Sequence, residues 1–246
     1  MLNLLKPNWS APSSIHAYST TRLGGVSTGV YQGLNLGMHV DDMPANVLEN
    51  RQILNNVLKL SSPLYWLTQT HSTRLLKLED NPQCNEADAV WTSLQRRACV
   101  VMTADCLPIL VTDTKGCFVC AIHAGWRGLC DGIIEKSLHA ICTDLAIPSS
   151  QLLVWLGPCI SSQAFVVGSE VRSQFIAENR LAESAFTAHQ DRYLADLHQL
   201  ARLRLAPFNV AEITASEHCT FSEPERFYSY RRDAKTGRMA SLIWID

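Results

Sequence analysis

Apolar and polar residues repeat with two different periods along this chain, and each change of period marks an element. Residues 15–20 (IHAYST) read as a strand, followed by a glycine-rich loop, TRLGGVSTGVYQGLNLG. Residues 44–58 carry Val47, Leu54 and Leu58 on one helical stripe, with Pro44 in the first turn and Asp41 or Asp42 as the expected cap. Short β-type runs then crowd together at 64–68, 75–78, 89–92, 98–103, 109–112 and 118–122. Helical spacing returns at 128–145, where Leu129, Ile133, Ile134, Leu138 and Ile141 recur. A strand at 152–156 ends at Gly157 and Pro158, and helices are predicted at 169–179 and 194–205. The tail, FYSYRR then DAKTG then RMASLIWI, predicts a hairpin whose second strand closes the sheet. Strands and helices that do not alternate regularly predict an α+β fold rather than a doubly wound one. With no repeat and no linker-like run, residues 1–246 are expected to form a single compact layered domain, with mixed β-sheets flanked by helices.

Composition narrows the class. At 47% hydrophobic and 18% charged the chain has the material for an ordinary core. Its 21 Lys and Arg against 23 Asp and Glu leave a net charge of -2, which offers a polyanion little attraction, so no nucleic-acid partner is expected. The first thirteen residues lack the apolar region of an export signal. The longest apolar runs, 98–112 and 117–124, are broken by Asp105, Pro108 and His123, well short of the roughly 20 residues that span a bilayer. A cytoplasmic protein without a membrane partner follows, monomeric or weakly homodimeric. Nine cysteines, an odd number, then read as thiols rather than disulfides. Cys84, Cys99, Cys130, Cys142, Cys159 and Cys219 read as core filler. Cys117 and Cys120 fall in a strand-like run on opposite faces, which argues against a redox or zinc pair.

Three segments place a borderline or soft metal ligand just beyond a strand-like run: His71 in LYWLTQTHS, Cys106 in CVVMTADCLP and His123 in FVCAIHAGWRG. Two imidazoles and a thiolate that converge at a sheet edge would match a zinc site with an open fourth position, whereas a lone histidine in an apolar strand is more often a core residue. Ala124, Gly125 and Gly128 beside His123 allow close backbone approach, and Asp105 next to Cys106 is placed to orient a ligand or a water.

The ordered motifs TTRLGGVSTGVYQGLNLG, TADCLP, HAGWRG, GPCI, YSYRR and TGRMA resemble the laccase-domain, or multicopper polyphenol oxidase, family. Its members have been reassigned as zinc-dependent purine nucleoside phosphorylases with adenosine deaminase activity. The resemblance runs from about Ser19 to Trp244. It implies that His71, Cys106 and His123 are zinc ligands, that they are catalytic, and that the partners are a purine nucleoside (adenosine, inosine or a methylthioadenosine-type substrate) and phosphate. It also implies a layered fold peculiar to the family. One departure is Ser72, where the family more often has glycine after the first histidine.

The oxidase label can be weighed by counting. Several coppers need many imidazoles, and this chain has eight histidines, at 16, 39, 71, 123, 139, 189, 198 and 218, with no H-x-H pair. One site with two His and one Cys nevertheless resembles blue-copper ligation, which leaves copper as the alternative metal. For phosphorolysis, an arginine fork suits phosphate. Candidates are Arg51, Arg127, Arg231 and Arg232, with Arg51 and Arg231 preferred as substrate-binding residues. Asn35 and Gln69 are candidates for the ribose hydroxyls or the base edge. Gly24, Gly25, Gly29 and Gly33 form no phosphate-loop pattern and read as turn residues. Trp126 is a candidate wall. Rival readings are a metal-free hydrolase with Cys106 as nucleophile and His123 as base, including a cell-wall precursor editing role, and a binding module with structural zinc.

Overall fold

A computed structural model describes residues 2–60 and 63–246. The chain opens with β1 (Leu4–Leu5) and β2 (Ile15–Thr20), crosses the glycine-rich loop and enters α1 (Pro44–Leu58). The β-rich centre follows: β3 (Leu75–Lys77), β4 (Ala89–Thr92), β5 (Cys99–Thr103), β6 (Leu107–Asp113) and β7 (Val119–Ala124). Next come α2 (Trp126–Cys130), α3 (Ile133–Leu145), β8 (Leu152–Leu156), β9 (Val166–Val167) and α4 (Ser169–Glu178). The chain ends with β10 (Phe186–His189), β11 (Arg192–Ala195), α5 (Leu197–Leu205), β12 (Glu212–Ala215), α6 (Tyr230–Asp233) and β13 (Met239–Ile245).

One mixed sheet and two antiparallel ones, flanked by helices, define the α+β class. Six strands in the order β12-β8-β6-β7-β4-β3 form one sheet, parallel at β12/β8 and β3/β4 and antiparallel between. Four more, β1-β2-β13-β5, form an antiparallel sheet, and β10-β11-β9 form a small third one. Side chains alternate across each strand, so one strand serves two cores. In β6, Leu107, Ile109 and Val111 join the cluster shared with α2, α3 and α5, while Leu110 joins the cluster between the two large sheets. In β13, Ile243 and Ile245 face that same inter-sheet space, while Ala240, Leu242 and Trp244 pack outward with Leu34, Leu36 and Leu54. The layers run helix, sheet, sheet, helix. Each fully buried leucine or isoleucine contributes about 1.5–3 kcal/mol.

Departures from the sequence pattern have local causes. Segment 64–68 forms no strand, only an isolated bridge from Thr68 to Glu86. The helix expected over 128–145 breaks in two at Gly132, whose φ of 86° no helix accommodates. Leu194 and Ala195 belong to β11, because Asp196 caps α5 by accepting from the Gln199 N–H at 2.9 Å. At α1 neither Asp41 nor Asp42 is the cap residue: Met43 holds that position, and Asp42 Oδ1 accepts from its N–H. The tail is no hairpin. Ser229 caps α6 instead, and β13 is paired on both sides, by β2 and β5. All nine cysteines are free thiols, but Cys84 and Cys117 are exposed and Cys142 and Cys219 half-buried, so core filling fits Cys99, Cys120, Cys130 and Cys159.

Candidate metal centre

The register of β6 and β7 brings two of the three donors together. Pro108 pairs with His123, and Cys106 lies two residues before Pro108, hence on the same face of the sheet. Asp105, just before it, sits at φ 95°, a strained value for a non-glycine residue that turns the chain into β6. His71 arrives from the loop after the Thr68 bridge and itself adopts φ 60°. Gln69 anchors that loop to the end of β5: its Nε2 donates to the Met102 carbonyl and its Oε1 accepts from the Met102 N–H, both at 2.7 Å.

One ligand atom each from His71, Cys106 and His123 lie within 4.8 Å of one another, and among the described residues this is the single group of its kind. The imidazoles stand edge to face, with ring centroids 4.8 Å apart. Gly125 lies directly against them: a Cβ there would come 2.2 Å from His71 Nδ1 and 3.4 Å from Cys106 Sγ, so no side chain can stand at this position without displacing His71. Gly128 makes similar room for the Ser72 carbonyl.

Asp88, which the sequence pattern did not single out, lies behind the group, fully buried. It accepts from His123 Nδ1 at 2.7 Å, leaving His123 Nε2 as the nitrogen free to face the donors. Burial pushes the Asp88 carboxyl up, but hydrogen bonds from His123 and Ser72 outweigh it and hold the group at about 2. For His123, burial lowers the imidazole, yet the neighbouring Cys106 sulfur and Asp88 overcome that and lift it to about 9. A metal cation would be favoured by the same negative neighbours and would take the place of the proton on Nε2. His71 moves the other way, lowered mainly by burial and then by His123, which favours its neutral form. The donor set and its surroundings fit a zinc or copper ion.

The group lies in the wall of a cavity of about 520 Å³. Arg127, Arg231 and Arg238 also line it, each held over an aromatic ring: Trp126 at 4.3 Å, Phe165 at 5.0 Å and Tyr230 at 6.0 Å. Arg231 further donates from Nη1 to the Val166 carbonyl, and its N–H to Asp105 Oδ2. Asp105 thus fixes α6 and, through Oδ1, Thr220, rather than touching a donor. Arg238 and His39, both missed in the sequence, line the cavity too. Arg238 sits where Gly37 leaves no room for a Cβ, a close approach legible only in three dimensions.

The remaining candidates separate clearly. Gln69 and Trp126 line the cavity, as does Arg231. Asn35 does not: it is fully buried, accepts from the Gly37 and Arg238 N–H groups and donates to Asp42, so it holds the loop behind Arg238. Arg51 also turns away, donating twice to the Leu36 carbonyl and stacking on Trp66 at 3.9 Å. Arg232 is used up on the carbonyls of Thr220, Phe221 and Phe227. Ser72, the departure from the family pattern, donates its hydroxyl to Asp88 at 2.7 Å.

Fold and site together define an α+β protein with a two-histidine, one-cysteine group that could hold a single metal, set in a cationic cavity. Comparison gives this class its family. Residues 16–246 match the family model described as multi-copper polyphenol oxidoreductase laccase. Purine nucleoside phosphorylases of Haemophilus influenzae and Escherichia coli are 44% and 46% identical to this chain, each aligned over the full length of both proteins. The crystal structure of a Neisseria meningitidis protein superposes with a TM-score of 0.93 at 43% identity, covering 99% of both chains. A Bacillus licheniformis structure titled hypothetical protein YfiH follows at 0.87 and 28%, covering 94% of this chain and 93% of that one. The chain belongs to the multicopper polyphenol oxidoreductase laccase family.

Proposed function

We propose that this protein is a zinc-dependent purine nucleoside phosphorylase that cleaves adenosine, inosine and methylthioadenosine-type nucleosides, and that it deaminates adenosine in the same cavity. The observation that carries the reading is the convergence of His71, Cys106 and His123 in the wall of a cavity that three guanidinium groups also line. Support comes from relatives named purine nucleoside phosphorylase that align over their whole length.

In phosphorolysis a phosphate oxygen bonds to C1′ of the ribose as the bond from C1′ to the base nitrogen breaks, and the departing base takes up a proton. Arg231 and Arg238, with Arg127, hold the phosphate dianion; their aromatic partners keep the forks oriented, so little side-chain freedom is lost on binding. Trp126, Phe165 and Ile160 give the base an apolar wall that excludes water. Gln69 keeps the His71 loop fixed against β5. His71, Cys106 and His123 would hold zinc, which would supply Lewis acidity and an activated water for deamination at the purine C6. Copper binds such donors more tightly than zinc. A single three-donor group among the described residues gives it one site, not a multicopper cluster.

One observation favours a second reading: Cys106, His123 and Asp88 lie in the order of a nucleophile, a base and an orienting carboxylate. That metal-free hydrolase would keep its activity in a chelator. For the leading reading, product analysis on adenosine should give adenine and ribose 1-phosphate only when phosphate is present, and inosine with or without it. Neither product from metal-replete protein would sink the proposal.

A further inference from the structure

Asp88 binds both of the segments that carry the imidazoles. A fully buried carboxylate has its lone pairs satisfied, and the groups that satisfy them show what it holds in place. Here the Asp88 side chain accepts five: from His123 Nδ1 at 2.7 Å, from the Thr70, His71 and Ser72 N–H groups at 3.2, 3.0 and 2.6 Å, and from Ser72 Oγ at 2.7 Å. Four of the five go to the segment that carries the other imidazole. The Asp88 carbonyl also accepts from the His123 N–H at 2.7 Å, so the residue grips His123 by backbone and side chain together.

The geometry of the His71 loop depends on this arrangement. Three successive N–H groups can converge on one carboxylate only if the backbone curls, and His71 supplies the curl with φ 60°. A side chain in that backbone conformation is strained by about 1–3 kcal/mol, and persists only where its surroundings fix it. Charge-assisted bonds to a buried carboxylate do so.

We propose that Asp88 is the positioning residue of the metal centre, tying the His71 loop and the His123 ring to one carboxylate so that both imidazoles hold donor geometry before any metal arrives. The inference rests on the metal-dependent reading above, in which the four bonds to the His71 loop fix the second imidazole. Ser72 strengthens the clamp in this chain by a bond that glycine cannot make.

Three measurements test it. In zinc-loaded protein labelled with ¹⁵N-histidine, the His123 signal, assigned by its loss in His123→Gln, should keep its proton on Nδ1 and show the metal-shifted resonance on Nε2. A zinc-shifted Nδ1 with the proton on Nε2 would overturn the proposal. Zinc affinity by competition with a chromophoric chelator should fall roughly 10- to 100-fold in Asp88→Asn, the usual cost of losing such a partner. It should fall less in Ser72→Gly, and the cobalt-substituted Asp88→Asn protein should show an altered visible spectrum. An Asp88→Asn protein that folds and binds zinc with parental affinity and an unchanged cobalt spectrum removes the positioning role but not the metal. Parental protein that binds no zinc removes the metal reading itself. Should Asp88→Asn not fold, the ¹⁵N tautomer of the zinc-loaded parental protein decides.

Discussion

At the residue scale the three residues that come together were legible and their supports were not. His71, Cys106 and His123 each stand at the end of a strand-like run, inside motifs that resemble one family, so residue type and position pointed the same way. Asp88 lies 35 positions from His123 and inside the unremarkable NEADAV, where nothing local betrays that five donors converge on it. Arg238 stayed hidden for the same reason, whereas Asn35 and Arg51 had suitable chemistry but spend it on backbone groups behind the cavity. Cys106→Ala should abolish both phosphorolysis and deamination while circular dichroism and thermal unfolding stay close to parental; parental turnover of adenosine by this variant would refute the assignment. Arg231→Ala and Arg238→Ala should each raise KM for phosphate roughly ten- to hundredfold, the worth of one hydrogen bond to a charged group, with a smaller change in KM for the nucleoside. Equal effects on both substrates would place these arginines elsewhere.

At the element scale the period of the hydrophobic pattern located the long strands and helices, since both faces of β6, β7 and β13 are buried and leave strong runs. Short, half-exposed strands left none. β10 and β11 pair across a turn at Gln190 and Asp191, without the Asn-Gly or Gly signal of a tight hairpin, and escaped notice. The tail reads as a hairpin because FYSYRR has strand-like residues, yet a hydroxyl at Ser229 starts a helical turn there and Arg231 lines the cavity. Helix boundaries turn on single side chains of this kind. Asp196→Ala should cost about 1 kcal/mol by removing the cap of α5. Chemical denaturation measures it, and an unchanged midpoint would mean that the bond to Gln199 contributes nothing.

At the scale of the whole molecule, two stacked sheets between helical layers place His71, Cys106 and His123 where β5 and β7 end and β6 begins, at the edge of the space between the sheets. No helix among the described residues is long and apolar enough to cross a membrane. A second titratable group is built into this frame. His198, on α5, donates from Nε2 to the Gly157 carbonyl at 3.1 Å, and burial lowers its pKa more than that bond and Asp196 raise it. A histidine lowered on folding contributes stability that is complete above its unfolded value of about 6.5 and is lost as pH falls through the lower folded value. Thermal unfolding should therefore move to lower temperature as pH drops below about 6.5, and His198→Gln should weaken that dependence. An equal drop in the variant would assign the effect to other groups.

The central claim is that two imidazole nitrogens and one thiolate sulfur from three distant segments bind one metal. X-ray absorption at the zinc edge of the zinc-loaded protein reads that shell directly. The expected shell holds one sulfur at about 2.3 Å and two imidazole nitrogens at about 2.0–2.1 Å, and the sulfur vanishes in Cys106→Ala. A shell of oxygen and nitrogen alone in the parental protein would contradict the account.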